Sequence, residues 1–231
     1  MMHCEFWRLL RACCVVLRLP IARLQFRSSI NPPRIAALHA LFTRPHARFP
    51  LIKNKTIGIA LIDLSKFKGP ADYLATVGKK DHAGHQARVA RRRGYTVRTI
   101  ARAEHADAIH AIHLSSSMRQ GRPMDLSYQT KQTDFDDAPP LRCFGVFRHD
   151  GQLVGYCSFG IYGNFAATDK LLGIKNKDGA MYLLLVEVVS FLIEHGADYF
   201  MYDTYLGARE GLQSFKRRMG FRPYRIRYTL A

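Results

Sequence analysis

Acidic side chains are scarce in this chain. Its 231 residues hold 18 Asp and Glu against 35 Lys and Arg, a formal net charge of +17. Cysteine is sparse too: Cys4, Cys13, Cys14, Cys143 and Cys157 make an odd set of five, which builds no disulfide framework. A reducing compartment, the cytoplasm, is the expectation that follows. No Cys/His spacing fits a zinc site, so no metal is expected. No stretch approaches ~18 uncharged apolar residues, so no spanning helix is expected. Global disorder is excluded by what is present: 48% hydrophobic and 11% aromatic residues suffice for a core.

The cationic excess is uneven. Residues 1–55 hold ten basic residues and Glu5 as their one acid. Two further concentrations follow. Lys79–Arg93 sets six cations against Asp81, and Lys216–Arg227 has six cations and no acid. Such surpluses favour polyanionic partners: nucleic acid, anionic lipid or a phosphate-bearing cofactor. In residues 1–50 a secretory signal is excluded, because Ala12–Leu17 is too short and Arg18 closes it. Organelle import, peripheral contact with an anionic membrane, and an extension outside the fold stay open. Pro32-Pro33 and Pro45 break any long helix here. The expected organisation is a basic extension over 1–54 and a single domain over 55–231.

Within 55–231, Thr56–Leu64 and Tyr95–Ile100 read as strands from their β-branched content. Ala71–Arg93 carries one long helical pattern stopped by Gly94, and Glu104–Met118 a second helix. Cys143–Phe147 and Leu153–Ile161 flank an Asp150-Gly151 turn, a hairpin cue. Met181–Glu194 is almost wholly apolar and reads as a buried helix. Tyr199–Leu206 reads as a strand, Gly211–Met219 as a basic helix and Phe221–Leu230 as the last strand. This order predicts an α/β chain with a mixed sheet covered by helices.

Three pieces, FGVFRHDGQLVGYCSFG, MYLLLVEVVSFLIEHGADYFMYD and GLQSFKRRMGFRPYRIRY, resemble the central hairpin, long helix and closing helix–strand of the GNAT superfamily of acyl-CoA N-acyltransferases. The resemblance runs from Arg98 to Ala231. Upstream, YLATVGKKDHAGHQARVARRRGY and the Phe215-Lys216 step resemble the Fem-type branch, which transfers aminoacyl groups from tRNA. The resemblance implies a GNAT-like fold and transfer of an acetyl, longer acyl or aminoacyl group to a small-molecule or peptide amine. Its donor is acyl-CoA or aminoacyl-tRNA. The family's phosphate loop, Arg/Gln-x-x-Gly-x-Gly/Ala, corresponds to Lys175-Asn176-Lys177-Asp178-Gly179-Ala180, with one glycine and an added acid. Its usual general-acid Tyr is absent, since Phe and Lys occupy positions 215 and 216.

Direct attack of an amine on an acyl carbonyl needs an oxyanion donor, a base, and a cation or acid at the leaving group. The candidates are Lys216 as cation and Asp203 as base, its carboxylate raised in pKa if buried in the aromatic strand. Lys175, Asn176, Lys177, Gly179 and Ala180 are candidates for the donor's phosphates. Arg119, Gln120 and Arg122 are candidates for the acceptor side. Arg88, Arg91 and Arg92, at helical spacing, are candidates for contact with a tRNA backbone. Each competes with a bland role: a solvated basic face for Lys216, a helix exit for Arg119–Arg122. His110 and His113 have no carboxylate to complete a metal set. A catalytically silent module that binds RNA or anionic membrane through these basic faces is the alternative function.

Overall fold

A computed structural model describes residues 14–47, 50, 52–80, 82–119 and 122–231. The described elements are β1 (Ile21–Phe26), α1 (Pro32–Thr43), β2 (Ile57–Asp63), α2 (Pro70–Thr76), α3 (Ala83–Arg92), β3 (Thr96–Thr99), α4 (Ala106–Leu114), β4 (Met118–Arg119) and β5 (Arg122–Pro123). They continue with β6 (Leu141–Phe147), β7 (Leu153–Ile161), β8 (Phe165–Gly173), α5 (Ala180–Glu194), β9 (Tyr199–Thr204), α6 (Glu210–Arg218) and β10 (Arg222–Leu230). Eight strands form one mixed sheet in the order β1-β10-β2-β9-β8-β7-β6-β3, while β4 and β5 pair only with each other. The expected class, a mixed sheet flanked by helices, is the one observed.

The helix α5 lies at the centre of the larger core. Leu183, Leu184, Val188 and Leu192 are buried there with Ala83, Ala87 and Ala90 of α3. Small residues on α3 let the two helices approach closely. On the opposite face of the sheet, α4 packs Ile109 and Ile112 against Tyr156 and Leu172. Alternation along β6 divides these faces: Phe144 and Val146 belong to the α5 side, Cys143 and Phe147 to the α4 side. Among the described residues no helix is long and apolar enough to cross a membrane.

Four local expectations are corrected. The boundary at residue 55 does not mark where the fold begins. β1 pairs in parallel with β10, from Ile21↔Arg225 to Phe26↔Leu230. Its alternating Ala22, Leu24 and Phe26 are buried with Ile35 and Phe42 of α1. Arg23 and Gln25 alternate with them as exposed residues, the period-2 pattern of a strand with one buried face. Pro32-Pro33 opens a helix instead of breaking one. Both rings sit in the first turn, where the missing N–H costs nothing, and Asn31 accepts from Arg34 N at 3.3 Å. The single helix over 71–93 is two, because the chain turns at Val77-Gly78 and Gly84 N returns to Val77 O at 2.9 Å. Finally, the central hairpin is a three-stranded meander, since β8 follows β7. Asp169-Lys170 interrupts its apolar pattern.

Candidate functional site

The sheet opens between β8 and β9. These strands pair in parallel through Phe165↔Tyr199, Ala166↔Phe200 and Ala167↔Met201, and no further. Thr168 Oγ1 donates to Met201 O at 3.3 Å and pins the apex of the fork. Immediately past it, the β7 register slips: Phe159 faces Thr168 and Ser158 faces Lys170, so Asp169 is an unpaired bulge residue. The β8–β9 ladder ends at Ala167, and beyond it the two strands diverge.

Two cavities meet there. One, of about 460 Å³, lies on the α5 side. Its walls include Leu171, Met181, Tyr182, Tyr202 and Phe215. Lys175, Lys177 and Arg218 stand on the same lining. The other, of about 240 Å³, is lined by Lys55, Asp125, Tyr128, Asp169 and Asp203. Leu171 and Tyr202 line both, so these two side chains are the shared wall.

The expected phosphate loop opens α5 and borders the larger cavity. Gly179 sits at φ +82°, and a Cβ there would lie 2.5 Å from Gln86 O, so this one glycine is required. No side chain caps the helix N-terminus. The loop's acid is turned away and neutralised: Asp178 accepts from Arg93 at 2.5 Å and from Tyr95 Oη at 2.8 Å. Lys175, Asn176 and Lys177 are exposed, and neither lysine has an ion pair among the described residues. Ala180, the first residue of α5, is buried.

Lys216 is not on a solvated face. It is 1% exposed, donates from Nζ to Thr204 O at 2.6 Å and lies 4.3 Å from the Tyr202 ring centre. Burial pushes its pKa down to about 8, against the raising effect of Asp203; Lys55 lowers it further. It lines neither cavity and acts on them through the Tyr202 ring and through its charge on Asp203. Its neighbour Phe215 is the member of the step that meets the larger cavity, its ring centre 4.7 Å from that of Tyr182 and tilted by 41°.

Asp203 departs from its expected chemistry. Burial raises its pKa, but the charge and hydrogen bond of Lys55, with Lys216 behind, reverse the shift and hold the carboxyl below its ordinary value. It remains ionised and is a weak base. Lys55 Nζ reaches Asp203 Oδ1 at 2.8 Å. Both residues hold left-handed backbones, φ 48° and 46°, a strained state for side chains of this kind. Tyr228 Oη donates to Lys55 O at 2.8 Å and fixes the lysine's backbone.

The remaining expected residues are dispersed. Arg119 and Arg122 pair across the β4–β5 ladder, beside Pro123 of the smaller cavity; Gln120 lies outside the described residues. On α3, Arg88 donates to Gly78 O at 2.9 Å and Arg91 pairs with Glu187, leaving Arg92 exposed. His113 is buried, its Nε2 2.7 Å from Tyr156 Oη, and no metal-binding cluster occurs among the described residues. Lys55, Tyr128, Asp169 and Tyr202 were not singled out by sequence. Only Asp169-Lys170, a polar pair inside an apolar strand, carries a legible bulge signal.

No protein-family model and no curated relative matches the sequence. Solved structures do. FemX superposes with a TM-score of 0.56 at 12% identity, covering 72% of this chain and 59% of that one. L-PGS from Bacillus licheniformis gives 0.48 at 19% identity, covering 73% and 60%. A GCN5-related N-acetyltransferase from Kribbella flavida gives 0.42 at 15% identity, covering 74% and 55%. The chain thus spans less than two thirds of these proteins' lengths. At such identities the likeness is one of fold, and the fold is GNAT-like, with a Fem-type neighbour.

Proposed function

We propose that this chain transfers an acyl or aminoacyl group from an activated carrier to an amine, across the fork between β8 and β9. The observation that carries this reading is the meeting of two cavities of different chemistry at the shared wall of Leu171 and Tyr202. A donor in one and an acceptor in the other would meet with no covalent enzyme intermediate required.

In this reading the carrier's phosphates lie on the Lys175–Ala180 loop, against lysine charges and the positive end of α5. Acyl-CoA and aminoacyl-tRNA both present such phosphates. The acyl carbonyl enters the fork, where the oxygen that becomes negative lies against the backbone of β8 beyond Ala167. The Lys216 charge, behind the Tyr202 ring, adds a field that favours this oxygen. The acceptor nitrogen sits beside Asp203, whose ionised carboxylate holds its N–H groups. Its lone pair forms the new C–N bond, the carrier's C–S or C–O bond breaks, and the nitrogen's proton leaves to water while the carrier takes one up. The guanidinium groups of Arg119 and Arg122 and the Gln120 amide are the candidates to bind the acceptor.

The test is incubation of the full chain with acetyl-CoA, a long-chain acyl-CoA or aminoacyl-tRNA and a panel of amines, with products read by mass spectrometry. One donor class is expected to give amide. Leu171→Trp, which fills the shared wall, is expected to cut transfer at least about a hundredfold while leaving each substrate's separate binding within severalfold. A chain that binds no donor at low salt and forms no amide has lost this reading; retained tRNA or vesicle binding would then favour the non-catalytic module.

A further inference from the structure

The acceptor cavity does not end at the fork. A third cavity, of about 660 Å³, continues outward from it and shares Pro123, Met124 and Tyr128 with it. The two chambers differ in kind. The inner one sets Asp125, Asp169 and Asp203 against Lys55, which is already paired with Asp203. Asp125 and Asp169 have no ion-pair partner among the described residues. In a chain of net charge +17, this chamber is anionic. The outer one is flanked by large apolar side chains left in water: Leu114 is 58% exposed, Met118 45%, and Leu126, on the same short turn as Tyr128, 76%. Grouped exposed apolar residues at a cavity mouth mark a surface that is covered in use.

We infer that the acceptor is an amphiphilic amine, with its ammonium end in the inner chamber and an apolar body extending into the outer one. This rests on the acyl-transfer reading for its direction of use, but the binding itself does not require a donor. An ammonium group matches the unpaired carboxylates. An apolar body continuous with it covers Leu114 and Met118, which a short or wholly polar amine leaves wet.

The experiment is calorimetric titration of the full chain, without donor, with primary n-alkylamines of four, six and eight carbons and with spermidine. Affinity is expected to rise about threefold to fourfold for each methylene that becomes buried, and octylamine is expected to bind more tightly than spermidine. Leu114→Asp with Met118→Asp is expected to flatten the length dependence. Both positions are exposed, so an unchanged melting curve is expected, and Met118→Ser serves if the double variant does not fold. Asp169→Asn is expected to weaken all alkylamines by a similar factor. Length-independent affinity, a slope unaltered in the outer-chamber variants, or preference for spermidine overturns the proposal. Length-dependent binding with no amide from any donor would sink the transfer reading and leave this one standing; amide formation indifferent to tail length would do the reverse.

Discussion

The two cavities that meet at the fork carry opposite charge. Lys175, Lys177 and Arg218 line the larger one, and Asp125, Asp169 and Asp203 the smaller. Each side also contains a residue of the wrong sign, and each such residue is cancelled locally. Asp178, the acid of the Lys175–Ala180 loop, is held by Arg93 and Tyr95. Lys55, the cation of the acidic chamber, is held by Asp203. The lesson is that the net charge of +17 says little about either site. What sets the sign of a cavity is which charges are left unpaired, and this is decided by contacts between residues far apart in sequence.

The comparison breaks most completely if its frame is removed. A chain starting at Lys55 loses β1 and α1, and with them the buried Leu24, Phe26, Ile35 and Phe42. At about 1.5–3 kcal/mol each, these are worth about 6–12 kcal/mol, comparable to the stability of a whole domain. The expected outcome is loss of cooperative melting by circular dichroism. An unchanged melting curve would mean that both cavities stand without the N-terminal elements.

A smaller effect, but one with a distinct signature, comes from Lys216. Its folded pKa of about 8 lies below the ordinary 10.5, so between these values the unfolded chain binds more protons than the folded one. The penalty is fully present below pH 8 and is relieved as pH rises toward 10.5, a gain of up to about 3 kcal/mol. Lys216→Met should lack that rise, and the difference between the two stability–pH curves isolates the residue. Parallel curves would show that Lys216 is not titrating in a buried site.

The charge contrast itself is sharpened by two mild variants. Lys175→Ala with Lys177→Ala should weaken donor binding about fivefold to a hundredfold, most at low salt, and leave amine affinity unaltered. Asp169→Asn should weaken amines about threefold to tenfold and leave the donor unaltered. Equal effects of either change on both ligands, measured by calorimetry, would mean that the cavities are not separate sites.

The parts of the fold legible in sequence were those with strong periodicity and little competition. The apolar run at 181–194 became α5, and the Asp150-Gly151 turn joined β6 to β7. β8 was hidden because its middle is a bulge with Asp169 and Lys170, where alternation fails for the reason that makes the position chemically useful. Around the larger cavity, Lys175–Ala180 and Phe215 stood out in the sequence because each belongs to a contiguous motif. The direction of the Asp203 shift did not. It depends on Lys55, |i−j| of 148 away, and no local pattern in the strand announces that partner.

β1 pairs along its whole length with β10, and the contact between Ser28 and Ala231 spans 203 residues. On a ribosome adding about 5–20 residues per second, the first strand therefore waits roughly 10–40 s for the strand it pairs with. During that interval α1 alone can cover Leu24 and Phe26, and the strand's unpaired edge is an open template for any other. Arg18, Arg23 and Arg27, set through and around it, make two such nascent strands repel one another. The basic character of this region thus bears on the order in which the protein is made, as well as on what it binds.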